Sequence, residues 1–420
     1  MQKPVIVFAG AVYPGQFGQL CDYLRQAKLA ETYFLTTPGH RARNTERGEH
    51  ILAFKPDGPV VGPQSYYYTA KLERSARIGR GLLRAVQQFE QKKKIDVIVA
   101  HSLWGAPHFL YGETGAAIVS YIEFPSYRAH GWSSDYPPDQ SQRMGDKNLE
   151  MLNFHQALRS DLVICPSHHA KQMFPEALQG NIEVQLEGFA FEDRPTSASD
   201  TEGRARPFTI GFSARDLSSS KGFEVFVRLV DKLAARGLQA EFVALGGAEG
   251  STYGYEQQWV KRKYGGAVAS FRDHLMKLYP RAAEVIRFPG KLPYEEFAQQ
   301  LAGIDLFLYP LQFGVANWGL VEILGRGGCV LAPNRGYAAE LILDDINGRL
   351  LPDDDDAWIT EVEALAGDPA RRLRYGQKAR YLARLHYSLP VVAPRYMGLF
   401  RKAMDRRDAR AAADGDPAGR

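Results

Sequence analysis

Residues Thr209–Glu224 read TIGFSARDLSSSKGFE. Thr209–Phe212 has the β-prone, apolar character of a strand, a polar loop follows, and a helix opens at Lys221-Gly222. Phe223, Phe226, Val227, Val230 and Leu233 recur at helical spacing, and Gly237 supplies a stop. A helix start presents unpaired N–H groups and the positive end of a dipole. Arg215 and Lys221 flank that spot, so the loop reads either as a pyrophosphate site or as a surface loop that carries two cations.

Outward from this unit the same rhythm repeats. Short apolar runs fall at Val5–Phe8, Val97–Ala100, Ile118–Ile122 and Leu162–Cys165, then at Glu241–Leu245, Val285–Phe288, Leu306–Tyr309 and Cys329–Ala332. Continuous apolar strands separated by longer amphipathic segments predict parallel sheets covered on both faces. With 420 residues, two domains are expected. Asp193–Pro207 (DRPTSASDTEGRARP) has no apolar periodicity and reads as the linker. The expected organisation is an α/β chain with a Rossmann-like domain over residues 1–195 and a second over 196–385. A helix over 386–404 should pack back on the first domain, and the charged, Ala/Gly-rich stretch 405–420 reads as a disordered tail.

Composition is that of an ordinary globular enzyme: 45% hydrophobic, 24% charged, net charge +4. So small an excess gives no argument for nucleic acid. Cys21, Cys165 and Cys329 are far apart, odd in number and set among apolar neighbours, which predicts buried free thiols in a reducing compartment. His168-His169 would point to opposite faces of a strand, so no metal is assigned. Val5–Phe8 is too short for a signal segment, and no run reaches the roughly 18 apolar residues of a membrane span. The expected location is cytoplasmic. The basic segment Thr69–Lys94, ending in Lys92-Lys93-Lys94, reads as a solvated helix face, with contact at a membrane surface or with an anionic acceptor as the sharper alternative.

Further candidates gather where strands end, the edge at which open α/β sheets bind ligands. In the second half these are Gly246-Gly247, then Asn317-Trp318-Gly319-Leu320-Val321-Glu322 after DLFLYP (Asp305–Pro310), then GRGGCVLA (Gly325–Ala332). In the first half a glycine loop, Ala9–Gly18, follows the first strand, with Tyr13, Gly15, Gln16 and Phe17 in it. His101 and Glu123 each end an apolar run, so both should face the cleft between the domains. Each also has a plain reading, as a structural hydrogen bond or as a charge paired with an Arg. Arg128 and His130, with Tyr127 and Trp132, form a loop able to meet an acceptor.

These segments, in this order, resemble glycosyltransferase family 4. Arg215 and Lys221 match the family's donor-diphosphate pair. Glu322, with Gly327 and Val330-Leu331-Ala332 behind it, matches the Glu that grips the nucleotide ribose, and Glu340 matches a further acid. Ile286–Leu292 (IRFPGKL), with Pro289, Lys291 and Leu292, resembles the segment that lines the base. Ser120–Phe124, His101–Gly105 with Trp104, and Gly246–Gly254 are similar to the Tyr-x-Glu-Phe, His-x-x-Trp-Gly and second glycine-rich segments of one subgroup. In most members a first Glu precedes the ribose Glu by eight residues; here that place holds Gly314, as it is commonly vacant in the subgroup.

The resemblance implies a GT-B fold and a retaining glycosyltransferase. It would move a sugar from a nucleotide-diphosphate donor to a saccharide or other hydroxyl acceptor, lipid-linked acceptors included, in cell-surface polysaccharide or glycoconjugate synthesis. Arg215, Lys221, Glu123 and His101 would serve the chemistry. Gly246, Gly247, Pro289, Lys291, Leu292, Asn317, Trp318, Gly319, Leu320 and Glu322 would bind the donor. Tyr13, Gly15, Gln16, Phe17 and Trp104 would bind the acceptor. No cofactor or metal is implied beyond the nucleotide sugar. A nucleotide-sugar epimerase and a non-catalytic donor-binding subunit stay open as alternatives.

Overall fold

The computed structural model describes residues 3–60, 66–126, 133–191, 206–248 and 254–413. Most of the Asp193–Pro207 linker, the Tyr127–Trp132 loop, part of the second glycine-rich segment and residues 414–420 lie outside these. The chain divides into two compact units. The first takes Met1–Ser126, Gln140–Ala190 and Tyr387–Arg420; the second takes Tyr127–Asp139 and Phe191–His386.

Among the described residues, the first unit holds a seven-stranded parallel sheet. Its strands are β1 (Val5–Ala9), β2 (Glu31–Thr36), β3 (Ile51–Ala53), β4 (Val97–His101), β5 (Ala117–Tyr121), β6 (Leu162–Cys165) and β7 (Ile182–Val184), in the order β3-β2-β1-β4-β5-β6-β7. β1, β4, β5 and β6 are buried throughout, as helices on both faces of a parallel sheet require. Helices α1 (Gly18–Gln26), α2 (Ala70–Glu90) and α3 (Gln140–Arg159) lie between strands. His168-His169 opens a short helix, α4 (His168–Gln172), rather than lying in a strand, because Ser167 caps it by accepting the Ala170 N–H.

The second unit holds a six-stranded parallel sheet in the order β10-β9-β8-β11-β12-β13. Its strands are β8 (Thr209–Asp216), β9 (Glu241–Gly247), β10 (Ile286–Gly290), β11 (Leu306–Leu308), β12 (Val330–Pro333) and β13 (Arg349–Leu351). The helices that matter to the site are α5 (Phe223–Ala235), α6 (Tyr294–Ala302) and α7 (Trp318–Gly325). Phe223, Phe226, Val227, Val230 and Leu233 all sit in this unit's core, on the stripe their spacing predicts.

Two boundaries differ from those read in the sequence. Residues 133–139 belong to the second unit, not the first. Tyr136 anchors them, packing edge-on against Trp259 and Phe271 and donating to Glu224 (2.7 Å). The stretch expected to be a disordered tail is helical through Ala413. Helix α8 (Pro369–Tyr387) ends the second unit, and α9 (Leu389–Ala413) returns to the first. α9 places Val392, Tyr396 and Phe400 in the first unit's core. Its charged last turns stay ordered because Arg410 pairs with Asp161 (2.8 Å) and Arg407 donates to the Gly115 carbonyl (3.1 Å).

All three cysteines are free and buried. Burial pushes the Cys21 and Cys329 thiols up to about 12. Among the described residues no helix is long and apolar enough to cross a membrane.

Beside β4, burial, reinforced by nearby His155, pushes the His108 imidazole down to about 4. The unfolded chain therefore takes up this proton first. Its stabilising contribution is whole above about pH 6.5 and is lost as pH falls towards 4, at no more than about 1.4 kcal/mol per pH unit. Urea denaturation of the wild type and of His108→Gln should give stabilities that converge over that window. A constant difference between them would refute the assignment.

Candidate active site

The loop after β8 is shaped by its neighbours on β9 and β11. β8 and β9 stay in register through Ser213, slip, and re-pair at Asp216 and Gly247. Such an irregularity re-aims the residues within it, and Arg215 lies there, exposed. Leu217 then donates to the Gly247 carbonyl (3.0 Å), which zips the loop to the end of β9. Ser218 donates to Asp216 (2.8 Å), and Ser219 donates to Glu256 through Oγ (2.9 Å). The next turn carries Lys221, only 8% exposed. Gly222 follows at φ +79°, and a Cβ there would lie 1.8 Å from the Pro310 carbonyl oxygen. Glycine at 222 thus lets the helix start press against the end of β11, and Gln312 and Phe313 donate to the Ser220 carbonyl (3.1 and 2.9 Å).

The start of α5 is not an empty cradle. The Phe223 N–H already bonds to Ser218 O (3.2 Å), and Glu224 adds a carboxylate to the first turn. The groups of this corner able to meet an anion are therefore Arg215 and Lys221 more than the helix start.

Gly247 closes one side. A Cβ on it would fall 2.6 Å from Lys291 Cε, so the Lys291 side chain crosses directly over the end of β9. Pro289 ends in β10, and Leu292 follows Lys291 in the connection to α6. Gly246 precedes Gly247 on the same strand end.

α7 carries a second group of the candidates. Asn317 caps it, its side chain accepting the Gly319 N–H (3.1 Å). Trp318 is exposed, Leu320 is buried, and Glu322 is half-buried one turn on. Glu322 Oε1 accepts from Tyr294 Oη (3.1 Å) and from Arg326 Nε (3.2 Å), and Arg326 Nη2 donates to Tyr294 (3.0 Å). These donors all converge on Oε1. Sequence reasoning missed Tyr294 and Arg326. The Glu322/Arg326 spacing of four on one helix was the available signal, while Tyr294, on α6, gave none. Gln312 was missed too; its Oε1 accepts from Arg335 (2.7 Å). Gly314 lies in the loop before α7 at φ +154°, and Glu340 lies on a separate short helix, Ala338–Leu341.

In the first unit, the ends of β4 and β5 bring His101 and Glu123 together. Both are buried, with Nε2 and Oε1 3.7 Å apart. His101 Nδ1 accepts backbone N–H groups from Leu103 (3.1 Å) and Trp104 (3.4 Å), which puts the ring proton on Nε2, towards Glu123. Gln16, in the glycine loop, donates to Glu123 Oε1 (3.4 Å). Gly15 lies in the same turn. Tyr13 and Phe17 are core side chains that hold the loop. Tyr13 donates to Asp22 (2.6 Å), and Phe17 meets Tyr121 edge-on at 5.0 Å. Only the backbone beside these two rings is left to meet a ligand. Trp104 is partly exposed under the Arg74 guanidinium (4.9 Å).

One cluster was not legible in the sequence. Cys21, Asp22 and His50 have ligand-type atoms within 4.8 Å of one another. Internal bonds occupy the carboxylate, which takes Tyr13 on one oxygen and His50 Nε2 (2.9 Å) on the other.

Residues 29–193 match the family model described as Glycosyl transferase family 4 group, and residues 207–368 match that described as Glycosyl transferases group 1. The chain is similar in structure to sucrose-phosphate synthase from Thermosynechococcus elongatus, with a TM-score of 0.69 at 15% identity, over 96% of this chain and 99% of that one. It is similar to Anabaena HepE in complex with UDP and glucose, with a TM-score of 0.65 at 16% identity, over 95% and 99% of the two chains. The catalytic domain of Arabidopsis thaliana starch synthase IV bound to ADP and acarbose gives a TM-score of 0.62 at 14% identity, over 96% and 100%. No curated protein matches by sequence.

Proposed function

The chain belongs to the glycosyltransferases, family 4 and group 1 in its two halves on a GT-B fold, and from that premise we propose that it transfers a hexosyl group with retention of configuration. The donor is a nucleotide-diphosphate sugar and the acceptor a saccharide hydroxyl. The observation that carries this reading is the corner after β8, where one loop carries exposed Arg215 and buried Lys221 and is bonded to the end of β9 and to the stretch after β11. Two cations there neutralise the charge that grows on the leaving diphosphate. HepE with UDP and starch synthase IV with ADP support a nucleoside-diphosphate ligand for this corner.

In the proposed step the bond between the anomeric carbon and the diphosphate oxygen breaks while the acceptor oxygen bonds to that carbon on the same face. The acceptor proton passes to the departing phosphate, giving a glycoside and a nucleoside diphosphate. Positioning supplies most of the acceleration, and the scheme needs no cofactor. Glu322, its Oε1 saturated by Tyr294 and Arg326, turns Oε2 to the ribose hydroxyls. Pro289, Lys291 and Leu292 border the base, and the Nε2–H of His101 with Glu123 orients sugar hydroxyls. Gln16 and the Gly15 backbone face the acceptor. The biological setting we propose is cell-surface polysaccharide or glycoconjugate synthesis on the cytoplasmic side of the membrane, with lipid-linked saccharides among the acceptors.

A panel of UDP-, ADP- and GDP-sugars tests the donor reading. The true nucleotide at 100 times its Kd should raise unfolding stability by about 2.7 kcal/mol, read as a thermal shift. NMR of the product anomer tests retention, and an inverted product refutes it. Gly314, where most of the family carries a Glu, favours one second reading, a donor-binding subunit without transfer. Nucleotide binding with no transfer to any acceptor in a producing-cell extract would select that reading.

A further inference from the structure

We infer that the outward face of α3 (Gln140–Arg159) is a docking surface for an anionic lipid bilayer. This rests on the first unit alone and not on the donor site. At a helical period, Met144, Lys147, Met151, His155 and Leu158 fall within a stripe roughly 80° wide. All five are exposed, Met151 at 58% and Leu158 at 68%. The opposite face of the same helix buries Leu149, Leu152, Asn153, Gln156 and Ala157. α3 thus carries large apolar side chains on its solvent side in addition to those it gives to the core.

The charge on that face has one sign. The exposed residues of α3 are Gln140, Arg143, Met144, Lys147, Met151, His155, Leu158 and Arg159, with no carboxylate among them. Of the helix's two acids, Asp146 is buried and pairs with Lys71, and Glu150 is half-buried. Aromatic residues extend the patch. Asn148 donates to the Tyr68 carbonyl (2.6 Å) and so ties the turn Tyr67–Thr69 to α3, leaving Tyr66 and Tyr67 65% and 62% exposed.

The basic segment that stands out in the sequence is built differently. On α2, Arg77 pairs with Glu73 (2.6 Å), Arg84 with Asp57 (2.9 Å) and Lys71 with Asp146, while Arg74 covers Trp104. Beyond it, Lys93 pairs with Glu31. Those cations are largely spent within the unit; on α3, Lys147 and Arg159 are exposed on the same side as Met151 and Leu158.

Charge decides the occupant. A second copy meeting this patch symmetrically would set Lys147 and Arg159 against their own kind, with no acid on the exposed helix face to answer them. An anionic bilayer takes both parts at once. Its headgroups attract the cations, the acyl boundary accepts Met151 and Leu158, and the interface suits tyrosine.

The test is flotation of the full chain with vesicles of phosphatidylcholine alone and of phosphatidylcholine with about one-third phosphatidylglycerol. The wild type should float with the anionic vesicles and not with the neutral ones. Met151→Asp with Leu158→Asp should weaken partition at least about tenfold, and Lys147→Ala about fivefold, at unchanged circular dichroism. Lys92→Ala with Lys94→Ala should partition as the wild type does. Three results would overturn the inference: no flotation of the wild type, full flotation of the Met151/Leu158 variant, or a wild-type dimer in light scattering that this variant dissolves. The last would assign the face to a second copy.

Discussion

Lys221→Ala is expected to lower kcat/KM by about 100- to 1,000-fold with the chain still folded, equivalent to the roughly 2.7–4 kcal/mol lost when one oriented donor to a developing anion is removed. The size follows from where the lysine sits. Lys221 is 8% exposed and held in a loop that Ser218, Ser219 and Leu217 fix from three sides. A cation so placed does not reorganise as the phosphate leaves, and partial exclusion of water strengthens its field. If its part is played in the transition state, kcat should fall more than KM rises. Arg215, exposed on the irregular stretch of β8, should show the milder effect on kcat and the larger share in KM. Steady-state kinetics with the donor found in the nucleotide panel would check both. Near-normal turnover by a folded Lys221→Ala chain would remove the lysine from the mechanism.

Gly222→Ala should be the most damaging small substitution in the second unit. Alanine at φ +79° costs about 1–2 kcal/mol in backbone conformation. The new methyl would also start 1.8 Å from the Pro310 carbonyl oxygen, which is backbone and has little room to retreat. Overpacking of that kind adds about 1–3 kcal/mol. Relief would require the β8–α5 turn to lift from the end of β11, breaking the Gln312 and Phe313 bonds to Ser220. Calorimetry should show the second unit melting earlier, and the chain that remains folded should turn over poorly because Lys221 moves with the turn. A melting point within about 2 °C of the wild type would show that this close approach is not built as described.

The parts of the fold legible in the sequence were those that physics makes repetitive. Val97–Ala100 and Leu162–Cys165 become strands buried on both faces, and continuous apolar runs announce such strands. β2 (Glu31–Thr36) escaped notice because Glu31 and Tyr33, half-exposed, break its run. β3, β7 and β13 are three-residue strands at sheet edges or beside them, too short to carry a pattern. In the site, Arg215 and Lys221 could be read because strand, loop and helix follow one another in the chain. The Tyr294–Glu322–Arg326 triangle could not, since it depends on α6 and α7 lying side by side. Nor did the glycine loop announce that Tyr13 and Phe17 turn inward; their neighbours Asp22 and Tyr121 become neighbours only in three dimensions. The stretch 405–413, expected to be disordered but helical, looks soluble because its partners, Asp161 and the Gly115 carbonyl, lie more than 240 residues earlier.

The return of α9 to the first unit has a consequence for how the protein is made. Tyr396 and Phe400 pack with Phe8, Phe17 and Tyr121 in one cluster, yet they are synthesised only after the whole second unit. While a ribosome is still adding the second unit, the first has its sheet but not the helix that seals it. Those rings wait uncovered, exposed apolar surface of the kind that makes partly folded chains prone to aggregate, until α9 emerges. The second unit, whose core comes from one nearly continuous stretch, can finish before its predecessor.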